Sequence, residues 1–169
     1  MCIRDRVLPL ELTLLAARRL DDYAVRVSGQ ILWALPRHSA FVEEPNARGV
    51  WLAGAERSEI VLAGAQPLDR IAFRLYSFAP SNVVRARSGD AEVKTTFDSD
   101  AKRDLGVPVD LPLRTIATDL GGFLGPEGKE HYARLVIETS GGGVPHRIWR
   151  KNPDLRFLGV FVSFDGSPP

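Results

Sequence analysis

The stretch that most constrains this chain is Asp154 to Phe164, read Asp-Leu-Arg-Phe-Leu-Gly-Val-Phe-Val-Ser-Phe. In an extended conformation one face carries Leu158, Val160, Val162 and Phe164, and the other Leu155, Phe157, Gly159 and Phe161. A strand that is apolar on both faces belongs inside a sheet that is itself covered. A helix is disfavoured because Val160, Phe161, Val162 and Phe164 are β-branched or aromatic, Gly159 interrupts the run and Pro153 precedes it. Asp165-Gly166 marks the end.

With 169 residues the chain is expected to form one domain with a sizeable core. Hydrophobic residues at 44% and charged residues at 25% fit a globular protein rather than a disordered or membrane-spanning one. The net charge of +1 offers no overall field for nucleic acid or anionic lipid, and no nucleic-acid partner is expected. Met1 to Arg6, Met-Cys-Ile-Arg-Asp-Arg, resembles the translated read-through of a sequencing adapter and is set aside as an artefact. The only cysteine and the only methionine go with it, so neither a disulfide nor a thiol nucleophile is expected. A natural polypeptide extending further upstream then becomes the expectation. Read literally, Arg4, Arg6 and Val7 to Ala17 imitate a short signal peptide, but Pro9 and Glu11 break its apolar region.

Residues 7–36 read as a lead-in segment. From Leu8 to Leu20 the leucines recur at spacings of three and four, which suits a short helix, an edge strand or the tail of an upstream membrane segment. Tyr23 to Val27 reads as a first short strand, and Ile31 to Leu35 as an apolar run ended by Pro36. Pro36 to Asn46 reads as a connection with one extended piece, Ala40 to Val42. Strand signals then follow at regular spacing over Val50–Ala53, Glu59–Ala63, Arg70–Ser77, Val83–Ser88 and Ala91–Phe97, with Gly-, Pro- or Asn-bearing turns between them. Ile71, Phe73 and Leu75 point one way, and Arg70, Arg74 and Tyr76 the other. A hairpin is expected at Gly89-Asp90, with Arg85, Arg87, Glu92 and Lys94 on a wet face. Val107–Leu111 and Leu113–Ala117 are weaker strands, which Pro108 and Pro112 confine to edges. His131–Thr139 alternates clearly, and Ser140–Pro153 reads as a long loop of the kind that often carries binding. The expectation is an all-β fold, an antiparallel β-sandwich of jelly-roll type over residues 37–166, with about eight or nine strands and at most one short N-terminal helix.

Two stretches stand out together: Gly49-Val50-Trp51-Leu52-Ala53-Gly54 leading into Ser58 to Leu62, and Asp154-Leu155-Arg156-Phe157-Leu158-Gly159-Val160. They resemble the C-terminal β-sandwich domains attached to some bacterial membrane glycosyltransferases and related surface-polysaccharide proteins. In those domains a Trp-Gly segment opens the sandwich and an Asp-x-Arg-x-Leu-Gly-Val strand closes it. The likeness spans roughly residues 40–165 and departs at Ser140 to Val144, where a glycine triplet stands in place of an aromatic residue. It implies an extracytoplasmic accessory domain at the periplasm or cell surface. It also implies a membrane tether through a missing N-terminal part and an upstream membrane domain of the same polypeptide as partner.

No catalytic signature is present: there is no Gly-x-Ser-x-Gly, phosphate-binding loop, dinucleotide fingerprint or His-Glu-x-x-His. His38, His131 and His146 lie in separate segments without ligand-like spacing, so neither a metal nor a cofactor is expected. Asp98, Asp100 and Asp104, like Glu43-Glu44, read as solvated loop acids rather than a glycosidase pair or calcium loop. A sugar site needs a flat aromatic face with planar polar groups beside it. Trp149, flanked by Arg147, Arg150, Lys151 and Asn152, best meets that need, although a Trp in this position also suits packing at the end of a sandwich. Trp51, between Val50 and Leu52, reads as core, and Asp154 with Arg156 as an ion pair on one side of the closing strand. The expected function is that of a non-catalytic accessory domain that binds carbohydrate through Trp149, Arg147, Asn152 and Arg150, or that positions the upstream domain. The rival expectation is a structural or protein-interaction sandwich with no sugar ligand.

Overall fold

The computed structural model describes residues 24–27, 30–37, 48–116, 131–166 and 168–169. The helix expected over Leu8 to Leu20 and the extended piece Ala40 to Val42 lie outside them. The strands are β1 (Ala24–Val27), β2 (Gln30–Arg37), β3 (Gly49–Ala53), β4 (Arg57–Gly64), β5 (Arg70–Ser77), β6 (Asn82–Ser88), β7 (Ala91–Phe97), β8 (Val107–Pro112), β9 (Thr115–Ile116), β10 (His131–Thr139) and β11 (Leu158–Ser163). A short helix, α1 (Asp100–Leu105), precedes β8, and a single turn, α2 (Pro145–Ile148), precedes β11.

Gly89, with φ of 59°, turns the chain between β6 and β7, and this hairpin is the innermost of four nested antiparallel ladders. β5 pairs β8, β4 pairs β10 and β3 pairs β11 around it, each ladder enclosing the one before. Folding this ribbon over on itself gives a larger sheet, ordered β1-β2-β4-β10-β6-β7 with β9 also on β10, and a smaller one, ordered β3-β11-β5-β8. The runs β4-β10-β6-β7 and β3-β11-β5-β8 are the two four-stranded layers of a jelly roll. The fold is therefore an all-β antiparallel sandwich.

Period-two alternation places Val50, Leu52, Ile71, Phe73, Leu75, Val160 and Val162 of the smaller sheet against Ile60, Leu62, Val84, Ala86, Leu135 and Ile137 of the larger. β11 lies between β3 and β5, and all six of its residues are buried. Its second apolar face is covered too: the Phe161 ring sits 5.3 Å from Trp51 and 6.5 Å from Tyr76, measured between centroids.

Several expectations are corrected. Eleven strands, rather than eight or nine, occur among the described residues. β1 and β2 extend the larger sheet beyond β4, so Ala24–Val27 and Gln30–Arg37 lie in that sheet. Pro36 does not end β2, because β1 pairs it only as far as Trp33, and Pro36 meets a described partner on one side alone, at Ile60 of β4. The weak region after Phe97 holds α1, which starts on a Ser99 side-chain cap and ends at Gly106, with φ of 66°. The closing strand begins at Leu158, four residues later than the alternation suggests. Leu155 and Phe157 are exposed.

Candidate functional site

One end of the sandwich gathers the β3–β4 turn (54–56), the β5–β6 turn (78–81) and the β10–β11 loop (140–157). Backbone bonds bind them together: Gly54 N–H donates to the Phe157 carbonyl at 3.1 Å, Phe78 N–H to Gly159 at 3.1 Å, Thr139 N–H to Glu56 at 3.0 Å and Ser140 N–H to Val83 at 2.9 Å. Gly54, Gly142 and Gly159 meet backbone to backbone here. A Cβ on Gly159 would fall 2.6 Å from the Ala53 carbonyl oxygen, and one on Gly142 would fall 2.8 Å from the Gly54 Cα. Gly142 thus has a packing reason, since the chain segments could not approach this closely with a side chain between them.

The root of the long loop is held by Asn82, which is 1% exposed. Its Nδ2 donates to Ser77 Oγ at 3.1 Å and to the Gly159 carbonyl at 3.4 Å. Its Oδ1 accepts from the N–H groups of Ser140 and Gly141, at 3.2 and 3.1 Å, and from the Ser140 hydroxyl at 3.3 Å. One side chain therefore ties the start of β6 in the larger sheet to β5 and β11 in the smaller and to the first residues of the loop. In the sequence Asn82 reads only as a turn residue after Pro80-Ser81. The Pro-Ser-Asn signal is genuine, but nothing in it indicates burial.

The loop contains α2 rather than being structureless to Pro153, and Gly143 and Leu158 exchange both backbone hydrogen bonds at 2.8 Å. The segment after α2 is tied back to it: His146 Nδ1 lies 2.8 Å from the Asn152 carbonyl, Asn152 Oδ1 accepts from Asp154 N–H at 2.9 Å, and His146 N–H donates to the Asp154 carbonyl at 2.9 Å. Asp154 and Arg156 do form the expected ion pair, but in the loop ahead of β11 and not on the strand. Arg156 Nε and Nη2 donate to the carboxylate at 2.9 and 2.6 Å, and the Arg156 N–H adds a third bond at 2.9 Å. The side-chain hydrogen bonds from Arg156, followed by the bond from its backbone N–H, bring the Asp154 carboxyl down from 3.8 to about 2.

A folded-state value below the unfolded one means the pair stabilises the fold above about pH 4, and that this contribution fades as pH falls toward 2. Asp154→Asn is expected to cost about 1 kcal/mol at neutral pH, a modest figure because the pair is partly solvated. Urea melts of the two proteins should differ near pH 6 and converge toward pH 2. A difference unchanged across that range would contradict the assignment.

Trp149 caps the C-terminal end of α2, donating its N–H to the Pro145 carbonyl at 2.8 Å, and its side chain is 58% exposed. Its ring stands perpendicular to Phe78 at 5.7 Å, Phe78 meets Trp51 at 6.0 Å, and Trp51 meets Phe161. A run of aromatic rings therefore leads from the outer face of the smaller sheet to the loop. Trp51 is half-buried in that outer run and is not core, because Val50 and Leu52 on either side of it take the inward positions. Arg147 and Arg150 are exposed next to Trp149. Asn152 is half-buried, with its Oδ1 already engaged by Asp154, which leaves its Nδ2 for a ligand. The four residues singled out from sequence are thus on one loop, three of them open to solvent and one working partly to hold the loop's shape.

Elsewhere, Asp98 pairs with Lys102 at 2.9 Å, and Asp100 and Asp104 with Arg103 at 3.1 and 3.7 Å. The bond from Lys102 holds Asp98 below the usual carboxylate range. Each of these acids faces a cation rather than another acid. Among the described residues no group of three or more His, Cys, Asp or Glu is placed to hold a metal ion. Comparison with known proteins finds no matching family model, no matching curated protein and no matching solved structure.

Proposed function

We propose that this chain is a non-catalytic carbohydrate-binding module of a bacterial cell-surface glycan protein. In this reading it works outside the cytoplasm beside a membrane glycosyltransferase domain of the same polypeptide. The observation that carries the proposal is the Trp149 indole, held edge-to-face on Phe78 and more than half exposed, with planar donors from Arg147, Arg150 and Asn152 on the same short loop. A pyranose ring stacks its C–H face on such an indole, while guanidinium and amide groups take its hydroxyls. The loop is anchored at both ends by the Asn82 bonds and the Gly143–Leu158 bridge, so little conformational freedom is lost on binding. Jelly rolls also recur among lectin domains, which agrees with the reading without carrying it.

A glycan array probed with the purified chain tests this directly. Binding to at least one glycan class is expected, and Trp149→Ala should weaken it about tenfold or more, given the area a stacked indole buries. The variant should keep its melting temperature, because Trp149 lies outside the core. An array without any bound glycan, or binding equal in the variant, would sink the proposal.

A further inference from the structure

We propose that the β10–β11 loop docks the domain onto an anionic lipid bilayer. This goes beyond the carbohydrate reading and does not depend on it. Of the five large hydrophobic side chains exposed among the described residues, four lie in this loop: Ile148, Trp149, Leu155 and Phe157, with Leu155 the most open at 72%. Three of them are seated on the same glycine seam or beside it. A Cβ on Gly54 would meet the Phe157 ring at 2.7 Å. One on Gly143 would meet Phe78 at 2.9 Å and Ile148 at 3.5 Å, and Trp149 rests on Phe78. Ile148, Trp149 and Phe157 therefore lie together at the end of the sandwich, and Leu155 stands exposed on the same loop two residues before Phe157.

Charge accompanies these side chains. Between Pro145 and Phe157 four basic residues, Arg147, Arg150, Lys151 and Arg156, stand against one acid, Asp154, a net +3. The whole chain carries +1, so everything outside the loop sums to −2. The one acid is already held by Arg156. Arg147, Arg150 and Lys151 are exposed, and they make no ion pair with any described residue. Exposed apolar side chains set among unpaired cations, on a chain otherwise slightly acidic, complement a surface where phosphates lie above hydrocarbon. Trp is favoured at that depth, and Arg and Lys reach up to the phosphates while their stems stay in apolar surroundings. A soluble polyanion would satisfy the cations but would give Leu155 and Ile148 nothing to enter.

Co-sedimentation of the full chain with vesicles tests the docking, using pure phosphatidylcholine and phosphatidylcholine containing a minority of phosphatidylglycerol. Binding is expected to the anionic vesicles and to weaken with added salt. At about fivefold per cation near such a surface, Arg150→Gln with Lys151→Gln should weaken it roughly 30-fold. Leu155→Ser should weaken it about tenfold while leaving glycan binding and the melting temperature unchanged. Equal sedimentation with both vesicle types would overturn the proposal. So would unchanged binding by Leu155→Ser, or capture by immobilised polygalacturonate as strong as by vesicles and indifferent to Leu155. The vesicles carry no glycan and the array carries no bilayer, so each proposal can fail alone.

Discussion

Phe161→Ala is expected to destabilise the protein by about 3–5 kcal/mol, the range for removing a fully buried aromatic side chain. For a chain of this size that is a fall of about 10 °C in the unfolding midpoint. Phe161 is 2% exposed and its ring lies between Trp51 and Tyr76 on the outer face of the smaller sheet, so its loss opens a cavity between them. Because β11 pairs with β3 on one side and β5 on the other, the damage reaches both ladders. Thermal and urea unfolding would measure it. A loss below about 1 kcal/mol would mean that this face of β11 is not covered in solution.

Asn82→Ala is expected to cost roughly 3 kcal/mol through lost hydrogen bonds rather than lost packing. Five side-chain bonds disappear at once, and the N–H groups of Ser140 and Gly141 lose an acceptor at the root of the loop. Asn82→Asp separates the two halves of the network. It keeps the acceptor side toward Ser140 and Gly141 but sets a carboxylate against the Gly159 carbonyl in a buried position, so it should be no more stable than Asn82→Ala. Equilibrium unfolding of both variants checks this, together with hydrogen exchange at Ser140 and Gly141. If Asn82→Ala unfolded like the parent protein, Asn82 would not be the joint between the sheets.

Much of this architecture is legible in the chain because a half-buried strand writes its burial at every second residue. Ile71, Phe73 and Leu75 do so, as do Ala133, Leu135 and Ile137, and Gly89-Asp90 marks the central hairpin. Pairing across the sandwich is not written that way. Nothing in β3 says that it will lie beside β11, more than a hundred residues away, since both merely need an apolar neighbour. α1 escaped notice because it buries none of its residues and so has no hydrophobic period, only its Ser99 cap and Gly106 stop. At Asp154–Phe157 the alternation continued in the letters, but the Asn152–Asp154–Arg156 hydrogen bonds draw the backbone into a turn before β11 begins. Trp51 shows the limit of reading hydrophobicity without phase. Flanked by Val50 and Leu52 it resembles core, yet period two sends it to the opposite face.

The candidate site divides the same way. Its location in the loop before the closing strand, and Trp149 as its exposed aromatic, could be read from composition and position. The Phe78 support and the glycine seam could not, because Phe78, Gly54 and Gly142 come from three separate connections. The Asn82 joint was equally hidden.

Amide hydrogen exchange along β11 tests most directly whether this strand is the covered interior of a two-layer sandwich. Val160 to Ser163 should exchange only through global unfolding, with protection equal to that of Leu135 and Ile137 in β10, while the amides of Arg150 and Lys151 in the loop exchange fast. Exchange of Val160 to Ser163 at the rate of the loop would contradict it, and would place the strand at an open margin instead of between β3 and β5.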